Sequence, residues 1–142
     1  MSASNTVTKN DLKAILEELP IGQQPVDFIV EQGTSGIWTY RKWNSGIAEC
    51  WGEHTATLSP YQQAFGGYAF TTTVNFPSGL FIAYPQVKYS AAISNSNAGY
   101  GFALTGTITS YLSSNTAGLY AVSNINSSCS TVWMVEAKGR WK

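Results

Sequence analysis

The side chains able to do chemistry are few and badly spaced for catalysis. His54 is the only histidine, and Cys50 stands four residues before it. In an extended chain that separation is roughly 13 Å, too far for the two to share a metal ion. Glu49 and Glu53 are also four apart, as are Asp27 and Glu31. Glycosidase carboxylate pairs sit at roughly 5–9.5 Å, so neither pair suits acid–base work within one strand. Asp11 and Asp27 are the only aspartates, and a Ser–His–Asp set would have to draw on one of them. The first reads as helical and the second as the start of a strand, so neither is well placed. No Gly-rich phosphate loop precedes a helix. The reading is therefore not an enzyme, with no catalytic residue, no metal and no cofactor.

Binding is the chemistry that remains. Exposed Trp and Tyr rings stack on sugar faces or fill protein pockets, and Asn, Ser and Gln pair with hydroxyls. Trp43 and Trp51 are candidate ligand-binding residues. So are Tyr100, Tyr111 and Tyr120, at or near loops rich in Ser, Asn and Gly. For any single ring, burial in the core or at a subunit contact is the commoner role.

The element that must position these groups is Gly33 to Glu53, GTSGIWTYRKWNSGIAECWGE, which holds three of the five Trp. Two β-favouring runs, Ile37–Trp43 and Ile47–Glu53, flank Asn44-Ser45-Gly46. A three-residue connection ending in Gly suits a type I turn followed by a left-handed residue. That loop sets Trp43 opposite Ile47, Arg41 opposite Glu49, Thr39 opposite Trp51 and Ile37 opposite Glu53. On the other side Tyr40 meets Cys50 and Trp38 meets Gly52. Such opposite-charge and large-against-small pairs contribute roughly 0.2–1 kcal/mol each. The face with Trp38, Tyr40, Ala48, Cys50 and Gly52 lacks charge and is expected in the core. The face with Trp43, Ile47 and Trp51 also carries Arg41, Glu49 and Glu53. It reads either as a surface that meets something or as a second core layer.

Around this hairpin the chain is sparingly charged. Charged residues make up 11% of the 142 residues against a usual value of about 25%, aromatics make up 13%, and the net charge is zero. No basic patch is available to neutralise phosphates, so nucleic acid is an unsuitable partner. Few ionic groups are left to solvate a lone molecule, which favours an oligomer. No apolar run approaches 18 residues and no signal-peptide pattern opens the chain, so neither a membrane span nor secretion is expected. Without that signal, Cys50 and Cys129 are expected as thiols; whether they pair is left open by the spacing.

In chain order, residues 1–22 form a unit for oligomerisation or docking. Thr8 and Asp11 give a helix start, Leu12, Ile15, Leu16 and Leu19 recur at helical spacing, and Pro20 with Gly22 stop it. A helix this short is marginal in water, so its apolar stripe must dock on its own domain, on sister copies or on a larger particle. From residue 23 to 142 the period is two. Val26–Glu31, the hairpin, Tyr68–Phe76, Val87–Ile93, Phe102–Ile108, Leu119–Ser123 and the last run to Trp141 read as strands, with a short apolar run at Leu80–Tyr84. The expectation is an all-β fold: an antiparallel β-sandwich or jelly roll of about eight strands with a short N-terminal α-helix.

Glu31–Glu53 and the closing Ala-Lys-Gly-Arg-Trp-Lys resemble the C-terminal β domains of tailed-bacteriophage fibre and baseplate proteins of Gram-positive hosts. The resemblance implies a homotrimeric virion surface protein, assembled in the host cytoplasm, as a tail fibre, baseplate or head fibre component. It implies a helical segment at the three-fold axis, with the helix meeting other virion proteins. It also implies polar distal loops that bind a host cell-wall glycan or surface protein. On that reading the subunit interface would draw on Leu12, Ile15, Leu16, Leu19, Ile47 and Trp51. The rival readings are a monomeric carbohydrate-binding module using exposed aromatics, and a cell-wall hydrolase dependent on Glu49 or Glu53.

Overall fold

A computed structural model describes residues 9–18, 26–95, 99–100, 104–108 and 111–142. After helix α1 (Lys9–Glu18) come ten strands: β1 (Ile29–Ser35), β2 (Trp38–Trp43), β3 (Ile47–Leu58), β4 (Gln62–Ala64), β5 (Gly67–Asn75), β6 (Gln86–Asn95), β7 (Gly99–Tyr100), β8 (Leu104–Ile108), β9 (Thr116–Ser123) and β10 (Cys129–Arg140). Eight are five residues or longer; β4 and β7 are short pieces that extend two hairpins. They form a six-stranded sheet, β1-β2-β3-β10-β6-β7, and a four-stranded sheet, β4-β5-β9-β8, with every pairing antiparallel.

The central hairpin takes the expected register. Trp38 pairs with Gly52, Thr39 with Trp51, Tyr40 with Cys50 and Arg41 with Glu49. Gly46 adopts φ +96°, and its N–H donates to Trp43 O at 3.0 Å. Period-two alternation sends Trp38, Ala48 and Cys50 into the core. The last strand alternates just as strictly: Trp133, Val135 and Ala137 are buried while Met134, Glu136 and Lys138 are exposed.

Several boundaries differ from the sequence reading; β9, read as Leu119–Ser123, begins at Thr116, and β4 lies in what reads as a connection. Val26 is exposed, and the first strand is Ile29–Ser35 rather than Val26–Glu31. It turns at Gly36 to pair with β2, making a three-stranded meander. β3 runs on to Leu58, because β10 offers twelve residues of continuous pairing along it. Leu80–Tyr84 is not a strand. Leu80 and Phe81 plug the end of the sandwich, where Phe76 packs on Trp38 at 5.6 Å and on Phe81 at 5.4 Å between ring centroids.

The two sheets bury Trp38, Cys50, Trp133 and Val135 against Phe70, Val74, Leu119 and Ala121. Polar staples tie the layers together. The Tyr89 hydroxyl donates to Tyr120 O at 2.7 Å and accepts from Tyr120 N at 2.9 Å. Within the six-stranded sheet, Trp133 Nε1 donates to Thr131 Oγ1, which donates to Ala56 O. No buried side-chain polar atom among the described residues lacks a partner.

Candidate functional site

Most of the charged groups of the sheets gather on the outer face of the six-stranded sheet; Glu31 and Lys42 lie on the other parity, with Lys42 opposite Ala48. Cross-strand register lays the outer groups in rows. Arg41 faces Glu49, Glu49 faces Lys138 and Lys138 faces Gln86. In the next row Thr39 faces Trp51, Trp51 faces Glu136 and Glu136 faces Lys88. Trp51 thus stands in the middle of a shallow groove floored by β3, β10 and β6, with Glu53 and Met134 at one end and Arg41 and Lys138 at the other. The Arg41 guanidinium lies 4.9 Å from the Trp51 ring centroid and 3.8 Å from Glu49 Oε1. Trp43 Nε1 donates to the same carboxylate oxygen at 3.4 Å. This arrangement holds one face of Trp51 by cation–π contact and offers balanced charge around an indole, which suits a flat partner surface.

Trp43, Ile47 and Trp51 share the hairpin's outer face as expected, and each is half-buried within the single chain. The hairpin tip is latched from two sides. Trp141 Nε1 donates to Trp43 O at 2.8 Å, and Trp141 N donates to Gly46 O at 2.9 Å. Asp27 accepts from Ser45 Oγ at 2.9 Å, so this carboxylate is a structural clasp rather than a reactive group. Glu31 is ion-paired to Lys42 at 2.8 Å, and that hydrogen bond holds its carboxyl below the ordinary carboxylate range.

Tyr120 does not join this surface. Tyr120 belongs to the other sheet, with its ring edge-on to Tyr61 at 6.5 Å. Tyr111 is exposed, remote in sequence from both tryptophans. Tyr100 lies in β7, its side chain outside the described residues. On α1, Leu12 and Ile15 are each just over half exposed and Leu16 is partly covered; Leu19 lies outside the described residues. Lys9 Nζ, at the start of the helix, donates to Gln32 O at 3.4 Å.

The titratable groups singled out for chemistry are dispersed. His54 points between the sheets, with Nε2 at 3.1 Å from Thr72 Oγ1. Cys50 faces Ala137 and Cys129 faces Leu58, both thiols free and buried, eight register positions or roughly 26 Å apart. A disulfide between them needs Cα atoms within about 7 Å, so they do not pair in this fold. Burial pushes the Cys50 thiol up to about 12 and raises Cys129 as well. Among the described residues no group of His, Cys, Asp or Glu could hold a metal ion.

Sequence reasoning missed two exposed rings, Phe65 and Tyr61, at the β4–β5 hairpin. The signal that could have found them is charge. Between Glu53 and Glu136 the sequence has one charged side chain, Lys88, so none of the four strands of the second sheet carries any.

These features define an all-antiparallel two-sheet domain with a charged aromatic face on one sheet and an uncharged face on the other. No known family model matches the sequence, and no curated protein does. Solved structures do share the fold. An N-truncated R1-type pyocin tail fibre aligns with a TM-score of 0.59 at 15% identity, over 84% of this chain and 89% of that one. The P. aeruginosa R1 pyocin fibre comprising C-terminal residues 323–701 aligns with the same TM-score and identity over 84% of this chain. There the chain spans 29% of the longer fibre.

Proposed function

We propose that this chain is a fibre-type structural protein of a bacteriophage or phage-tail-like particle, assembled as a homotrimer and displayed on the particle surface to recognise a host or decorate the particle. The observation that carries the reading is the fold likeness to a pyocin tail fibre over 84% of this chain. The outer face of the six-stranded sheet supports the trimer: Trp51 and Ile47 lie half-covered among balanced charges that a second copy can complement. Helix α1, with Leu12 and Ile15 uncovered, supports a second contact to sister helices or to another virion protein. On this reading the protein acts without catalysis or cofactor. The pyocin fibres lend nothing to a Gram-positive host, and the host is not part of the proposal.

Light scattering on the purified chain, joined to immunogold electron microscopy of the particle, tests this. The expected results are three times the mass of one chain and labelled fibres. A monomer that labels no particle overturns the reading and favours the carbohydrate-binding module.

A further inference from the structure

We propose that the β4–β5 hairpin, with Phe65 at its tip and the Tyr61–Tyr120 pair roughly 13 Å back along β4, is a recognition site for an uncharged oligosaccharide. The proposal rests on the fibre-type reading for its setting on a host surface. Its chemistry stands on this hairpin alone.

Phe65 is the unexplained residue. Its ring is 83% exposed, so it contributes little to the core. Its backbone sits at φ +51°, among the described residues the one non-glycine in the left-handed region. Ala64 pairs with Gly67, so Phe65 and Gly66 are a two-residue turn with φ positive at both positions. Turns of that type favour Asn-Gly, because Asn tolerates the left-handed conformation that a Phe adopts at a cost. Neither packing nor turn geometry accounts for a phenyl ring there. A strained, solvent-facing aromatic that the fold does not require points to a use outside the fold.

The surroundings say what it would meet. An open recess of about 300 Å³ lies against the turn, lined by Gln63, Phe65 and Tyr68 among others. Tyr61 begins the hairpin with half its surface exposed, and Gln62 Nε2 donates to its hydroxyl at 3.3 Å. Burial, and then the neighbouring Tyr120, raise the Tyr61 phenol above its ordinary value, so it stays a neutral donor and acceptor at physiological pH. The four strands of this sheet hold no charged side chain, whereas every charged residue of the sequence lies in α1, in the six-stranded sheet or in residues flanking them. A phosphate or carboxylate ligand would find no counter-charge on these strands. Rings interleaved with amides and hydroxyls match the C–H faces and hydroxyls of a neutral sugar.

The test compares wild type, Phe65→Asn and Phe65→Tyr on an array of neutral and acidic bacterial oligosaccharides, with melting curves and light scattering. Wild type is expected to bind neutral oligosaccharides, and Phe65→Tyr to do so within about threefold. Phe65→Asn is expected to lose about tenfold or more while melting roughly 3 °C higher, because Asn relieves the turn. Four results each overturn the site: no neutral saccharide bound by wild type, acidic glycans bound alone, Phe65→Asn binding as wild type, or Phe65→Asn breaking up the oligomer. The last would make the tip a subunit contact. None of these alters the wild-type mass or particle labelling that tests the fibre reading. Conversely, a monomer that binds neutral saccharide through Phe65 keeps the site and removes the fibre.

Discussion

Gly46 shows how tightly a single backbone position is specified. Its φ of +96° disfavours any side chain, and a Cβ there would lie 2.8 Å from Arg140 Nη2 and 3.3 Å from the Lys142 backbone oxygen. Gly46→Val therefore meets both strain and collision at the point where Trp141 latches the turn. We expect a loss of about 2–3 kcal/mol, read as a lower urea midpoint at unchanged slope; an unchanged midpoint would refute the turn assignment. Cys50 makes a second prediction at this scale. Its thiol titrates near 12 in the fold and near 9 when unfolded. The protonated form is thus favoured in the native state. The stability it adds is complete below pH 9 and is lost as pH rises toward 12, at up to about 1.4 kcal/mol per pH unit. The difference between wild type and Cys50→Ala in urea unfolding should shrink over that window. Iodoacetamide should leave the native thiol unlabelled at pH 8; rapid labelling would show that Cys50 is not buried.

At the scale of elements, the central hairpin was legible because its turn length sets the whole register. Once Asn44-Ser45-Gly46 is the loop, Arg41–Glu49 and Tyr40–Cys50 follow by counting, and both are found. β10 was legible because one face is unbroken Trp133, Val135 and Ala137. The extent of β3 was not: His54, Thr55, Ala56 and Thr57 carry no clear alternation, and their pairing with Trp133, Val132, Thr131 and Ser130 is a long-range choice made by the partner strand. Leu80 and Phe81 mislead in the opposite sense, being apolar because they cap the sandwich rather than because they lie in a strand. The candidate site was half legible, since parity placed Trp51 on the outer face but gave no hint of Phe65 on a strained turn. The closing residues matter more than their position suggests. Trp141 joins the last strand to the hairpin through two hydrogen bonds, with Lys42 and Lys142 over its ring at 5.4 Å and 4.9 Å. Trp141→Ala removes the indole hydrogen bond and both cation–π contacts together and leaves the backbone bond to Gly46 O. A cost of about 2–4 kcal/mol is expected in thermal or urea unfolding, and a change under 1 kcal/mol would show that the latch is decorative.

The whole molecule is divided by charge, and the division gives each sheet a different outward chemistry. The six-stranded sheet presents Arg41, Lys88 and Lys138 against Glu49, Glu53 and Glu136, with Trp51 among them. A face with charges of both signs is solvated while a copy is alone and can be satisfied by another copy when it is covered, which is how an assembling surface avoids indiscriminate sticking. The uncharged sheet has no such groups to exchange and is better suited to stay outward. Trp51→Lys tests the division directly. Trp51 is half-buried and backed by Arg41 rather than by core, so the domain should lose only about 1–2 kcal/mol on its own. At the centre of a subunit contact, however, the same change buries a further cation beside Arg41 and Lys138 with no new carboxylate to meet it. Light scattering of the variant at micromolar concentration should show single chains that still melt cooperatively. Trimers that persist under those conditions would mean that the copies meet elsewhere, and the charged face would then be free for a different partner.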